Sequence, residues 1–181
     1  MDKQSNILIS FALEIAKLAI FISLVVIPVR YFVFCPFVVK GASMHPMFED
    51  GDYLLVDEIS LHFKRLERGE AIVFKFPKNP SEYYIKRVIG LPGEHLKIEQ
   101  GKIFIFNKLE RNWEEIQEDY LSSTEFTAGD KDVILGEEDY FVLGDNRQAS
   151  SDSRVFGLVS RKYIVGRVWI RAWPFNNLAY F

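Results

Sequence analysis

Two hydrophobic patterns divide the chain. From Ile7 to Val29 the residues read ILISFALEIAKLAIFISLVVIPV, apolar apart from Glu14, Lys17 and a few small polar residues. As a helix this run spans about 34 Å, against a hydrocarbon core of roughly 30 Å. Glu14 and Lys17 lie one turn apart and can face each other, which softens a cost of about 3 kcal/mol per charge at mid-bilayer. A cleavable leader would need small residues at its cleavage site, and Pro-Val-Arg-Tyr-Phe-Val-Phe after the run offers none. A buried soluble helix is the other alternative, since the uninterrupted part from Leu18 to Val29 is short. The pattern predicts a transmembrane anchor helix over 7–29 behind a short tail, 1–6. Lys3 and Lys17 on one side and Arg30 and Lys40 on the other scarcely decide its orientation. No later stretch is long and apolar enough to cross again, so everything after about Arg30 is expected on one side of a membrane.

From Tyr31 the pattern shortens to β-type runs broken by turn residues. Tyr31 to Lys40, rich in Phe and Val and interrupted by Pro36, predicts an edge strand or a bulge. Strands are expected over Tyr53 to Val56, Ala71 to Phe76 (ended by Pro77 to Pro80), and Tyr83 to Ile89, closed by Gly90-Leu91-Pro92-Gly93. Leu96 to Phe106 reads as a hairpin turning at Gln100-Gly101. Asn107 to Lys131 is polar and without a persistent period, and predicts loops with a short helix near Trp113 to Tyr120. Strands return at Tyr140 to Leu143 and Val165 to Ala172. The expected organisation is a mainly β core over 30–95 and 139–181, carrying an insertion over 96–138.

Composition adds little and excludes something. With 25 acidic and 22 basic residues the net charge is −3, too near neutral to suggest a nucleic-acid partner. Cys35 is the single cysteine, so no intrachain disulfide is possible, and it reads as a small hydrophobe in a strand. Sixteen Phe and eight Tyr suit strands and an apolar surface better than a helical bundle.

The candidate chemistry begins at Gly41-Ala42-Ser43-Met44-His45-Pro46. A small residue precedes Ser43 and a proline stops regular backbone three residues on. Such a run suits a hydroxyl presented to a cleft with its own amide nearby to bind developing negative charge. A serine needs a base within hydrogen-bond reach. Of the three histidines, His45 is too close along the chain to turn onto Ser43. His62 lies in a charged segment and His95 follows a turn, so all three read as surface residues without a partner carboxylate. A buried lysine loses its proton readily and is then a competent base. In Tyr83-Tyr84-Ile85-Lys86-Arg87-Val88-Ile89-Gly90, Lys86 shares a strand face with Tyr84 and Val88, while Arg87 points the other way. Alone, Lys86 also fits an edge lysine that discourages aggregation. The stretch Gly144-Asp145-Asn146-Arg147-Gln148-Ala149-Ser150-Ser151-Asp152-Ser153-Arg154 reads either as a solvated loop with Asx turns or as a structured polar network between apolar strands.

In this order, these stretches resemble the bacterial type I signal peptidase family. The similarity covers nearly the whole chain, including Arg68-Gly69-Glu70-Ala71-Ile72-Val73-Phe74 and Gly90-Leu91-Pro92-Gly93-Glu94. The resemblance implies an antiparallel β-sheet catalytic body with a small β-rich insertion behind one membrane helix. It implies that Ser43 is the nucleophile, Lys86 the general base, and that Ser150 hydrogen-bonds and orients the lysine amine. Arg87 with Asp145, and Asp152 with Arg154, would be ion pairs that hold the loop. Where some members carry a serine as second oxyanion donor this chain has Gly41, so backbone or water must serve. Met47 and Gln148-Ala149 also depart from the family pattern, where threonine and Asp-Asn are usual.

The same resemblance implies substrates that carry small residues one and three positions before the cut and bind as an added β-strand. Phe37, Val39, Met44, Phe48, Tyr84 and Ile85 are the matching pocket residues. Trp169, Trp173 and Phe175 are expected at the lipid headgroups. The implied partners are the signal peptides of exported preproteins, the lipid bilayer and nearby secretion machinery, with no cofactor or metal. The implied location is the cytoplasmic membrane, single-pass, with the body on the extracytoplasmic side. Two alternatives are a Ser-Lys self-cleaving repressor and a membrane-anchored β-domain that binds secretory chains without cutting them. The first needs an N-terminal helix-turn-helix, for which Met1 to Val29 is too apolar and too short. The second needs Ser43 or Lys86 to be missing.

Overall fold

The computed structural model describes residues 3–26, 34–121 and 126–181. It divides into two compact units, Met1–Cys35 and Pro36–Phe181. In the first, α1 (Lys3–Phe21) runs into a π-helical turn, Ile22–Val26. Apolar side chains from Phe11 to Leu24 are exposed all round it, and Lys17 Nζ pairs with Glu14 Oε1 at 2.8 Å. Among the described residues, no helix is long and apolar enough to cross a membrane. The end of the expected 7–29 segment, residues 27–29, lies outside the described residues, as do 31–33 of the first expected strand.

The second unit is built from two antiparallel sheets. β1 (Phe34–Val38), β2 (Tyr53–Asp57), β3 (Ala71–Phe76), β4 (Asn79–Gly90), β9 (Asp139–Leu143), β10 (Val159–Ser160), β11 (Ile164–Trp173) and β12 (Ala179–Tyr180) form the larger one. Their order is β1-β2-β11-β3-β4-β9-β10, with β12 also on β11. β5 (His95–Glu99), β6 (Lys102–Asn107), β7 (Asn112–Glu115) and β8 (Lys131–Ile134) form the smaller sheet, in the order β7-β6-β5-β8.

The period-2 alternation of a strand explains how the large sheet is buried on both faces. On β3, Ile72 and Phe74 join one core with Val88 and Val142, while Ala71 and Val73 join a second with Val39, Leu54 and Val168. On β9, Tyr140 and Val142 face the first core. Phe141 and Leu143 face a third, shared with Leu96, Ile98 and Ile103 of the small sheet. Each such large side chain contributes about 2 kcal/mol by leaving water. Gly166 on β11 has no room for a side chain, because a Cβ there would sit 2.4 Å from Val56 Cγ1 and 2.7 Å from the Asp57 carbonyl.

Two local expectations change, and a third holds. β3 ends at Phe76 as expected, but the next strand begins at Asn79 instead of Tyr83: Phe76 pairs Asn79 across Pro77-Lys78, so β3 and β4 form one tight hairpin. The Trp113 to Tyr120 region is not a helix. Its first part is β7, paired with β6 through Phe106–Trp113 and Asn107–Asn112. Its four residues are all exposed, which removed the alternation that would have marked a strand. Gln100 and Gly101, both at positive φ (51° and 79°), make the two-residue turn between β5 and β6.

Candidate active site

Ser43 sits in the turn-rich segment between β1 and β2, half-exposed. The segment begins at Gly41, whose φ of +82° needs a glycine although a Cβ would meet nothing within 4 Å. The Gly41 amide donates to Asp50 Oδ1 at 2.7 Å, and Phe48 N donates to Met44 O at 2.9 Å, closing the turn. Gly41 therefore spends its N–H on Asp50.

Lys86 comes from β4, opposite Ile72 of β3, and is only 4 % exposed. Its ammonium donates to Ser43 Oγ at 2.7 Å and to the Ile85 carbonyl at 2.7 Å. Burial drives its pKa down to about 8 from the usual 10.5, against the opposing pull of the Asp152 and Asp145 carboxylates. Protonated, the amine donates to the serine; deprotonated, the same nitrogen can accept the serine's proton across the same 2.7 Å.

The 144–154 loop is a structured network, not a solvated turn. Asp145, fully buried, receives Arg87 Nε at 2.7 Å and Nη2 at 2.6 Å, a bidentate pair beside Lys86. Asp152 accepts Gly144 N at 3.1 Å and Arg154 Nε and Nη2 at 2.8 Å each, and caps the short helix α2 (Ser153–Phe156). Asn146 ties this loop to the serine segment: its amide donates to Ser43 O at 3.1 Å and its Nδ2 to Ala42 O at 3.2 Å. Gly144 makes the close approach possible, since a Cβ there would lie 2.2 Å from Ser150 Oγ and 2.4 Å from Ser43 O.

Ser150 departs from expectation. Its Oγ is buried and has no hydrogen-bond partner, so it does not orient Lys86 in this state. The lysine's geometry is set by Ser43 and the Ile85 carbonyl instead. Among the histidines, His45 and His62 are exposed, whereas His95 is half-buried and does have a carboxylate partner, Asp132 Oδ1 at 2.5 Å. That pair lies on the small sheet, His95 being in β5 and Asp132 in β8. Among the described residues no cluster of His, Cys, Asp and Glu could hold a metal ion.

A cleft of about 590 Å³ opens beside Ser43 and Lys86. Phe37, Val39, Tyr84 and Ile85 line it. Met44 and Phe48 do not: both are completely buried and pack with Val56 and Val168, because the turn after Ser43 folds them back into the core. Tyr83, Leu54 and Val73 supply wall in their place. Tyr83 meets Phe37 ring to ring at 5.4 Å, and Tyr84 stacks flat on Phe76 at 4.6 Å. Trp169, Trp173 and Phe175 are at least partly exposed, with Trp173 and Phe175 edge to face at 4.8 Å.

Sequence reasoning missed Asn146 as a tether, and missed Glu118, Tyr120 and Thr127, which close over Arg147 and Arg87. Asn146 sits in the polar stretch the sequence singled out. Nothing local marks Glu118 or Thr127, whose partner lies 29 and 20 residues away.

Comparison with known proteins agrees with this chemistry. Residues 12–173 match the family model of signal peptidase, peptidase S26. Signal peptidase IB of Staphylococcus aureus is 37% identical over 161 residues, covering 82% of this chain and 83% of its own. A probable signal peptidase I-2 of Synechocystis is 33% identical over 168 residues, 90% of this chain and 73% of its own. A crystal structure of a signal peptidase I from Enterococcus faecalis covers 57% of this chain and 97% of its own, with 32% identity and a TM-score of 0.48. With its buried amine held against a serine hydroxyl, the chain belongs to the signal peptidase family of serine peptidases, peptidase S26.

Proposed function

We propose that this chain removes signal peptides from exported preproteins, with Ser43 as nucleophile and Lys86 as general base. The observation that carries this reading is the 2.7 Å contact between Lys86 Nζ and Ser43 Oγ in a site that depresses the lysine's pKa. At pH 7 about a tenth of the molecules then hold the neutral amine. Neutral Lys86 takes the Ser43 proton as Oγ bonds to the scissile carbonyl carbon, and the Ser43 amide holds the oxyanion. The C–N bond breaks as the Lys86 ammonium gives its proton to the leaving amine. Lys86 then deprotonates a water that attacks the acyl carbon, and Ser43 Oγ leaves with the proton returned by the lysine. Arg87, Asp145, Asp152 and Arg154 keep the loop in place during these steps. Ser150, free in the resting state, is available to a hydrogen bond that forms only with substrate bound.

The substrate strand lies in the cleft lined by Phe37, Val39, Tyr84 and Ile85. The segment 7–29 anchors the chain in the cytoplasmic membrane, its Glu14–Lys17 pair lowering the cost of two charges. The body, 30–95 and 139–181 with the 96–138 insertion, works on the extracytoplasmic face, near the lipid surface and the secretion machinery. Membranes carrying the wild-type chain should convert a preprotein to its mature form, read by N-terminal sequencing, and those carrying Ser43→Ala or Lys86→Ala should not. Processing by either variant at the wild-type rate rejects the assignment.

A further inference from the structure

The segment that follows β7 returns to the main body. Ile116 N donates to Ile103 O of β6 at 2.9 Å, and Leu121 N closes a turn on Glu118 O at 2.9 Å. Between them, the Glu118 carboxylate receives Arg147 Nη1 at 2.7 Å, Arg147 Nη2, and the Tyr120 hydroxyl. Arg147 is buried to 1 % side-chain exposure; its Nε donates to Gly144 O at 3.1 Å and its Nη1 to Thr127 Oγ1 at 2.5 Å. The Tyr120 ring lies 4.1 Å from Arg87 Cζ. Glu118 therefore holds Arg147 directly and reaches Arg87 through Tyr120. Arg147 follows Asn146, which holds the Ser43 and Ala42 carbonyls, and Arg87 follows Lys86. Glu118 itself is not part of the cleft wall.

We propose that Glu118 is a positioning residue for peptide cleavage, pinning Arg147 and through it Asn146, so that Ser43 Oγ stays in line with Lys86. This rests on the Ser43–Lys86 reading above. Without the carboxylate, a buried guanidinium loses its counter-charge and moves toward water. Asn146 moves with it, and the serine segment loses its tether. A misplacement of about 1 Å at the reacting atoms costs on the order of 100-fold in rate.

The test uses the full chain in detergent with a signal-peptide substrate. Glu118→Gln should lower kcat by about 10- to 100-fold, with KM unchanged because the carboxylate is remote from the cleft. In an Asn146→Ala background, which removes the side-chain bond to Ala42 O and keeps the backbone bond to Ser43 O, the same substitution should cost several-fold less than in the wild type, since part of the route is already cut. A merely stabilising role for Glu118 would give equal factors in the two backgrounds. Should Glu118→Gln not fold, Thr127→Val loosens the same guanidinium, and a kcat loss of about 2- to 5-fold that shrinks in the Asn146→Ala background is expected. Wild-type kcat in Glu118→Gln, or strict additivity, overturns the proposal while Ser43→Ala stays inactive. Activity in Ser43→Ala overturns the underlying reading and this one with it.

Discussion

Replacing Lys86 with methionine should stabilise the protein while abolishing proteolysis. The side chain is 4 % exposed, and its pKa of about 8 lies well below the usual 10.5. That gap corresponds to about 3 kcal/mol by which the fold disfavours the ammonium relative to the unfolded chain. Because the folded value is the lower one, this cost is present in full below about pH 8 and is lifted as the pH climbs from there towards 10.5. Methionine is nearly isosteric and uncharged, so it removes the cost. It also removes the hydrogen bonds to Ser43 Oγ and the Ile85 carbonyl, which offsets about 1 kcal/mol. The net expectation at pH 7 is a gain of about 2 kcal/mol, which disappears by pH 10. Guanidinium unfolding of both chains, followed by the fluorescence of their three tryptophans, measures the difference at each pH. A Lys86→Met chain less stable than wild type by the same amount at pH 7 and pH 10 would refute the burial cost, and with it the origin of the reactive amine.

Three further outcomes follow from individual contacts. Gly144→Ala forces a methyl against Ser150 Oγ and the Ser43 carbonyl; thermal unfolding should show a loss of about 1–3 kcal/mol and preprotein processing should fall with it, whereas an unchanged Tm and rate would contradict the close approach. Asp145→Asn leaves Arg87 buried without its charge partner, so a destabilisation of about 3–5 kcal/mol is expected in denaturant titrations. Ser150→Ala removes a buried hydroxyl that has no partner in the resting enzyme, so stability should hold or rise by about 1 kcal/mol even where activity falls. A clear loss of stability would mean that the hydroxyl is bonded before substrate arrives.

The parts of the fold that the sequence revealed are those where burial writes a pattern. β3 is framed by Gly69 and Pro77, and its alternate residues feed two separate cores, so its bounds could be read off directly. Gln100-Gly101 marked its hairpin because the turn needs positive φ at both positions. β7 and β8 escaped because their residues are mostly exposed and polar, and only pairing with β6 and β5 makes them strands. The Ser43 and Lys86 segments carried recognisable local chemistry, although 43 residues separate the two side chains that meet. Met44 and Phe48 could not be placed from sequence, because whether they face a cleft or the core depends on how the turn after Ser43 folds back. The Glu118–Arg147 and Asn146–Ser43 contacts are products of tertiary packing alone.

The reactive amine is tested most directly by the pH dependence of kcat/KM for signal-peptide cleavage. With Lys86 as the base, kcat/KM should rise about tenfold per pH unit below a midpoint near pH 8 and level off above it. A profile that is flat from pH 6 to 9, or that peaks in acid and falls through neutrality, would contradict a lysine base.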